Sequence, residues 1–269
     1  MKKRTFTDEE IKKVIYNYTV LKMGQKRAGA EFHMNDRTVK RLLNENNIPI
    51  KSIQETNISQ YNIDVNFFKI QSADLAYVLG LIGSDGCIAS NENCISIELQ
   101  DSDSELLEDI NHRIKNERPI KHYVTGRGYK NAKLYFFSKE IKDILNTYNI
   151  IPNKTYDPRF DFPYKLEKQY WIDYIRGYFD GDGCIKKTGV SLTFQLDGTN
   201  KKIFKVIQDF LRTDYNIETS ITKTDKINLQ MWRLYCYGQN AQKIFDLLYY
   251  SDTQLRLKRK YERYLLWKK

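Results

Sequence analysis

Two aspartates, Asp85 and Asp182, carry the most specific chemistry in this sequence of 269 residues. Each is the seventh residue of an octad, Leu79-Gly-Leu-Ile-Gly-Ser-Asp-Gly86 and Arg176-Gly-Tyr-Phe-Asp-Gly-Asp-Gly183, and the two octads stand 97 residues apart. Apolar, helix-forming residues lead into both, and Cys-Ile follows both. A glycine that closes a helix and opens a strand puts each acid in a last turn. There the negative end of the helix dipole disfavours a carboxylate by some tenths of a kcal/mol unless a cation is near. Small residues four apart, Gly80 with Ser84 and Gly177 with Gly181, allow two such helices to cross closely and bring the acids together. Adjacent oxygen donors suit Mg²⁺, with Mn²⁺ as a substitute, because Mg²⁺ needs only one or two carboxylates plus water and phosphate oxygens. The chemistry implied is metal-assisted phosphodiester cleavage.

Strand-like runs (Lys133 to Ser138, Ile217 to Thr222, Leu229 to Tyr237) alternate with helical ones (Lys139 to Thr147, Gln239 to Tyr249). The pattern predicts an α+β fold whose antiparallel sheets press one face on helices and leave the other for a polar partner. Gln100, Lys133, Lys186, Lys187, Gln195, Lys223, Gln230 and Arg233 are strand positions from which base edges or phosphates in a major groove could be reached. Alternation alone also places polar residues on any exposed sheet face, so none of these is decisive singly.

At the two octads the chain resembles the LAGLIDADG homing endonucleases, in the form where one polypeptide holds both motif copies. The resemblance implies two pseudo-symmetric αββαββα units, 69–165 and 166–269, whose sheets form a saddle on DNA. It implies that Asp85 and Asp182 are metal-binding catalytic acids, with any backbone ligand near Ser84 unassigned. It also implies cleavage of both strands across the minor groove, leaving short 3′ overhangs. A late lysine near the metal would stabilise transition-state charge; Lys154 and Lys258 are expected there. Gln100 and Gln195 are read as equivalent, and Asp103 and Gly198 stand near the place of a residue that organises water. On that reading only the first half keeps this group, so Asp103 joins the catalytic set. The sixth motif letter is Asp180 in the second copy and Gly83 in the first.

Residues 1–50 read as a separate helical module. Thr7 with Glu10 forms a capping box, apolar residues from Ile11 to Leu21 recur at helical spacing, Gln25 to Phe32 forms a second helix, and Asn35 caps a third over Asp36 to Glu45. Arg37, Thr38, Lys40 and Arg41 face outward, the layout of a helix-turn-helix whose last helix enters a major groove. Residues 51–68, rich in Asn, Ser and Gln, read as a linker.

The net charge is +10, with +5 in residues 1–50, −2 in 51–165 and +7 in 166–269. Within the middle segment Lys115, Arg118, Lys121, Arg127, Lys130 and Lys133 form a basic strip broken only by Glu117. A polyanion partner fits, and binding to it should weaken steeply with salt. Four cysteines without Cys-x-x-Cys spacing and three histidines argue against zinc; the cysteines are expected to be reduced and buried. No apolar run reaches a membrane span and the N-terminus lacks an apolar leader, so a cytoplasmic protein is expected, in a prokaryotic or phage-infected cell or an organelle. The reading is a monomeric, free-standing enzyme of an intron, phage or other mobile element, acting on a long, partly pseudo-palindromic duplex. Two alternatives stay open: a DNA-binding regulator that keeps the fold without cleavage, and an RNA-splicing maturase.

Overall fold

The computed structural model describes residues 6–51, 61–155, 157–226, 229–251 and 254–268, without the side chains of 225, 226, 229 and 230. The chain divides into two compact units, Met1–Asn62 and Ile63–Lys269.

In the first unit, α1 (Asp8–Thr19) opens with the expected capping box, Thr7 Oγ1 accepting from Glu10 N and Glu10 accepting from Thr7 N. The expected second helix is shorter than predicted. It ends at Ala28 as α2 (Gln25–Ala28), and a separate 3-10 turn covers Ala30–Phe32. A side chain on the intervening Gly29 would lie 2.6 Å from Val39 Cγ2, so glycine is needed for α2 to approach α3 (Asp36–Glu45). Val14, Tyr18, Ala28, Met34, Val39, Leu42 and Leu43 form the core of this unit.

The second unit starts inside the stretch read as linker. α4 (Val65–Lys69) is capped by Asp64 and buries Phe68, so that stretch ends in structure, while 52–60 lie outside the described residues. Then follow α5 (Ala73–Asp85), β1 (Gly86–Ile88), β2 (Cys94–Gln100), α6 (Ser104–Arg113), β3 (Lys121–Val124), β4 (Lys130–Phe137) and α7 (Lys139–Thr147). The order repeats as α8 (Trp171–Asp182), β5 (Gly183–Thr188), β6 (Ser191–Gly198), α9 (Lys201–Tyr215), β7 (Ser220–Lys226), β8 (Leu229–Tyr237) and α10 (Gly238–Leu248), and α11 (Lys258–Trp267) ends the chain. Each half makes one antiparallel four-stranded sheet, ordered β1-β2-β4-β3 and β5-β6-β8-β7.

α5 and α8 form the axis of this unit. Leu75 to Gly83 and Ile172 to Asp180 are buried without interruption, as expected for helices covered on all sides. Their backbones touch where the small residues stand. A Cβ on Gly80 would be 2.1 Å from Tyr174 O, one on Gly177 2.0 Å from Tyr77 O, and one on Gly181 2.0 Å from Ser84 Oγ. Gly86 and Gly183 end the two helices for a steric reason rather than the left-handed turn expected of a C-cap. Both are extended (φ −76° and −82°), and a Cβ there would meet Ile82 Cα at 2.6 Å or Phe179 O at 2.3 Å. Among the described residues no helix is long and apolar enough to cross a membrane.

Candidate functional site

Asp85 and Asp182 are the last residues of α5 and α8. The close crossing carries the first acid against the second helix: a Cβ on Gly181 would stand 3.1 Å from Asp85 Oδ2. Each side chain reaches the surface, yet the protein around it strips away much of its water. Desolvation raises the Asp85 carboxyl above its ordinary value, opposed by the charges of Lys260, Lys154 and Arg259. Desolvation and then the charge of Asp85 push Asp182 up to about 6. Two carboxylates that resist joint ionisation are relieved by a shared cation. Among the described residues no group of three or more His, Cys, Asp or Glu gathers around one metal position. The donor set is therefore a carboxylate pair, which fits a hard cation that keeps water and takes substrate oxygens.

Behind each acid an ammonium caps the end of a motif helix. Lys154 Nζ donates to Ile82 O (3.0 Å) and to Gly86 O. In the second half the matching carbonyls, of Phe179 (2.6 Å) and Gly183 (2.7 Å), accept from Lys260, which also donates to Asp180 O and Gly181 O. The expected Lys258 lies two residues away on the surface, 3.3 Å from the exposed Glu105. The structural partner of Lys154 is thus Lys260. Leu255 precedes Lys258 by three residues and Leu257 precedes Lys260 by three, both leucines are buried, and the sequence offers no signal to choose between the two lysines. Burial lowers Lys154, opposed by Asp182 and Asp85, and takes Lys260 down to about 8, opposed mainly by Asp180. Cations at helix C-termini are favourable, and these two sit within electrostatic reach of both acids.

Residues 172–249 match the family model described as LAGLIDADG-like domain. Residues 172–249 are thus a LAGLIDADG-like domain. The first half, α5 to α7, repeats the order and sheet topology of the matched second half. An uncharacterized protein of Methanocaldococcus jannaschii is 26% identical over 222 residues, which are 76% of this chain and 72% of that protein. Among solved structures, the homing endonuclease I-DmoI in complex with DNA and Ca is similar over 74% of this chain and 98% of its own, at 14% identity and a TM-score of 0.48. Full-length DUF199/WhiA from Thermatoga maritima is similar over 76% of this chain at 13% identity and a TM-score of 0.45, and the match spans 64% of that protein.

The two sheets correct several expected equivalences. Gly86 pairs with Ile97 and Gly183 with Leu196, so the first hairpin of the second half is two residues longer. Gln195 therefore corresponds to Ser96, not to Gln100, and Gly198 to Leu99, not to Asp103; the octad spacing of 97 holds for α5 with α8 and for α6 with α9 but not for β2 with β6. Asp103 precedes α6 as Asn200 precedes α9, and both reach into the other half. Asp103 accepts from Arg259 Nε at 2.9 Å, and Asn200 Nδ2 donates to Phe160 O. One oxygen of Asp103, expected to order water, is engaged by Arg259.

Gln100, Lys133, Lys186, Gln195 and Arg233 stand on the sheet faces turned from the helices, since Ile97, Leu99, Leu134, Phe194 and Leu196 occupy the alternate positions. Arg233 and Gln195 are both bound to Asp197, at 2.7 and 2.8 Å. Lys187 and Lys223 are opposite Leu192 and Trp232 on the helix side, which removes them from the open face. The side chain of Gln230 lies outside the described residues. Arg127 is in the β3–β4 turn, and Lys130 at the start of β4 is exposed. The open face of the first sheet also holds Lys121 and Tyr123, and Arg118 stacks 4.8 Å over Tyr135. In the first unit Arg37, Lys40 and Arg41 are exposed, Arg41 beside Glu45 at 3.5 Å, while the Thr38 hydroxyl donates to Asn35. The cysteines are free but not uniformly buried: Cys236 is buried, Cys87 is exposed, and Cys94 and Cys184 are intermediate.

Proposed function

We propose that this protein is a site-specific endonuclease that hydrolyses phosphodiester bonds in both strands of duplex DNA with divalent cations, Mg²⁺ or Mn²⁺, held by Asp85 and Asp182. The observation that carries this reading is the convergence of the two acids at the foot of crossing motif helices, with a capping lysine behind each. A bound divalent ion would supply Lewis-acid polarisation of the phosphate and a nucleophilic water at neutral pH. Asp85 and Asp182 would hold it, and Lys154 and Lys260 would offset charge gained at the phosphate. Open-face residues Gln100, Lys133, Lys186, Gln195 and Arg233 would meet the major groove on either side. The residues 1–50, with Arg37, Lys40 and Arg41 on α3, would add a second DNA contact outside the cut.

The test is a cleavage selection on a randomised duplex library with Mg²⁺, with Mn²⁺ and with chelator. Recovery of one long sequence cut in both strands only with metal is expected. A chain that protects a sequence but never cuts it would be the non-cleaving regulator instead.

A further inference from the structure

A groove of about 930 Å³ opens beside Asp85. Its walls include Gln100, Lys130 and Asn131 from the first sheet, Asp103, and one residue from the far end of the chain, Arg259. That arginine is held from behind. Its Nε donates to Asp103 Oδ2 at 2.9 Å; the Asp103 side chain is 6% exposed and the Arg259 side chain 44%. Among the described residues Asp103 is the hydrogen-bonding partner of the guanidinium, which leaves the rest of its planar fork for a ligand. Its charge acts on Asp85.

Among the described residues, the positions that the repeat relates to Arg259 and Asp103 hold no such pair. Lys154 corresponds to Lys260, so Arg259 corresponds to Asn153, which donates to Ser90 Oγ at 3.1 Å. Asp103 corresponds to Asn200, which is bonded to the Phe160 carbonyl. At these related positions a cation oriented by a buried acid stands on the Asp85 side alone; the second sheet has its own Arg233–Asp197 pair, but there the acid is partly exposed.

We infer that Arg259, positioned by Asp103, contacts the phosphate that lies beside Asp85 and accelerates cleavage of one strand more than the other. This rests on the nuclease reading above. Arginine suits the task because one edge of the fork can be fixed while the remaining N–H groups bind phosphate oxygens, an arrangement a lysine cannot reproduce. Fixing the side chain in advance removes an ordering penalty when substrate arrives, and its charge opposes the negative charge that grows on the phosphate. Asp103 thereby acts through Arg259 and not on water.

The experiment follows each strand separately in single-turnover cleavage of supercoiled plasmid carrying the selected target, with duplex affinity measured alongside in Ca²⁺. Arg259→Ala should slow one strand about 10²-fold and the other less than about threefold, with affinity nearly unchanged. Arg259→Lys should recover only a small part of that loss, and Asp103→Asn should slow the same strand by an intermediate factor. Glu262→Gln, an exposed change on the same helix, should alter neither strand. Equal slowing of both strands, a loss confined to affinity, or no loss at all would overturn the inference, and an inert Asp103→Asn would remove the positioning role. If the unmodified chain cuts nothing, the nuclease reading falls and takes this one with it; if it cuts and Arg259→Ala is symmetric, only this one falls.

Discussion

The two halves share one backbone plan and differ in what stands behind their motif helices. In the second half Asp180 is fully enclosed and accepts from Tyr77 Oη (2.8 Å), Tyr249 Oη (3.2 Å) and Leu257 N (2.7 Å), so it ties the segment that carries Lys260 to α8. Beside it Arg176, also buried, pairs with Asp173 at 2.7 Å and donates to the Leu248 and Leu255 carbonyls. The corresponding positions in the first half are Gly83, Leu79 and Ala76. There Tyr174, the counterpart of Tyr77, has a buried hydroxyl with no partner among the described residues. The lysine segment of the first half is fixed by Lys154 itself, by Asn153 on Ser90 and by buried Ile150 and Ile151. The sixth motif letter is thus a strut where it is Asp and a gap in hydrogen bonding where it is Gly. It has no part in the pair of acids at the site.

The largest expected effect tests what the halves have in common. Asp85→Asn and Asp182→Asn should each lower double-strand cleavage by at least about 10³-fold while duplex binding in Ca²⁺ persists. Retained cutting by either variant would mean that the shared acids are not the site.

Asp180→Ala sharpens the contrast. It strands two tyrosine hydroxyls, one backbone N–H and the charge of Lys260, and should lower stability by about 3–5 kcal/mol in urea denaturation. The converse change, Gly83→Ser, meets Tyr174 Oη from a Cβ 3.6 Å away without a clash and should add about 0.5–1.5 kcal/mol by giving that hydroxyl a partner. Equal and small effects at the two positions would erase the distinction drawn between them.

Removing residues 1–50 deletes a charge of +5. Duplex affinity should fall, and the log–log salt slope should flatten by about one unit for each phosphate no longer neutralised. An unchanged slope would confine recognition to the two sheets.

The smallest effect is one of pH. Asp182 is raised to about 6 in the folded chain, above the 3.8 of an ordinary aspartate, so its ionisation opposes folding. That destabilisation is present above pH 6 and is relieved as pH falls from 6 toward 4. In chelator, Asp182→Asn should therefore raise the melting temperature at pH 8 and lose this advantage at pH 4. Cleavage at fixed metal should decline below pH 6. A variant no more stable than the parent at pH 8 would show that the acid pair is not under mutual strain.

Much of this was legible in the sequence. The paired glycines announced the helix crossing, the octads located both acids, and Thr7-x-x-Glu10 placed the start of α1. The strand register was not legible for a definite reason. The extra residues in the β5–β6 hairpin number two, and a shift of two returns every side chain to the same face. Alternation of apolar and polar residues therefore looks the same with or without the insertion, and the expected match of Gln195 to Gln100 stands four residues, again an even step, from the observed match to Ser96. The same step of two separates Lys258 from Lys260. The bond from Arg259 to Asp103 joins residues 156 positions apart, and nothing local to either one signals it.

The outer strands of the second sheet, β5 and β7, are each three residues longer than β1 and β3. At about 3.4 Å per residue that is about 10 Å, the axial rise of about three base pairs of duplex. A ribbon pair of unequal reach lying along DNA would cover more sequence on one flank than on the other, so the cut would fall off the centre of the protected stretch, and the palindromic character of the target would fade toward the longer arm.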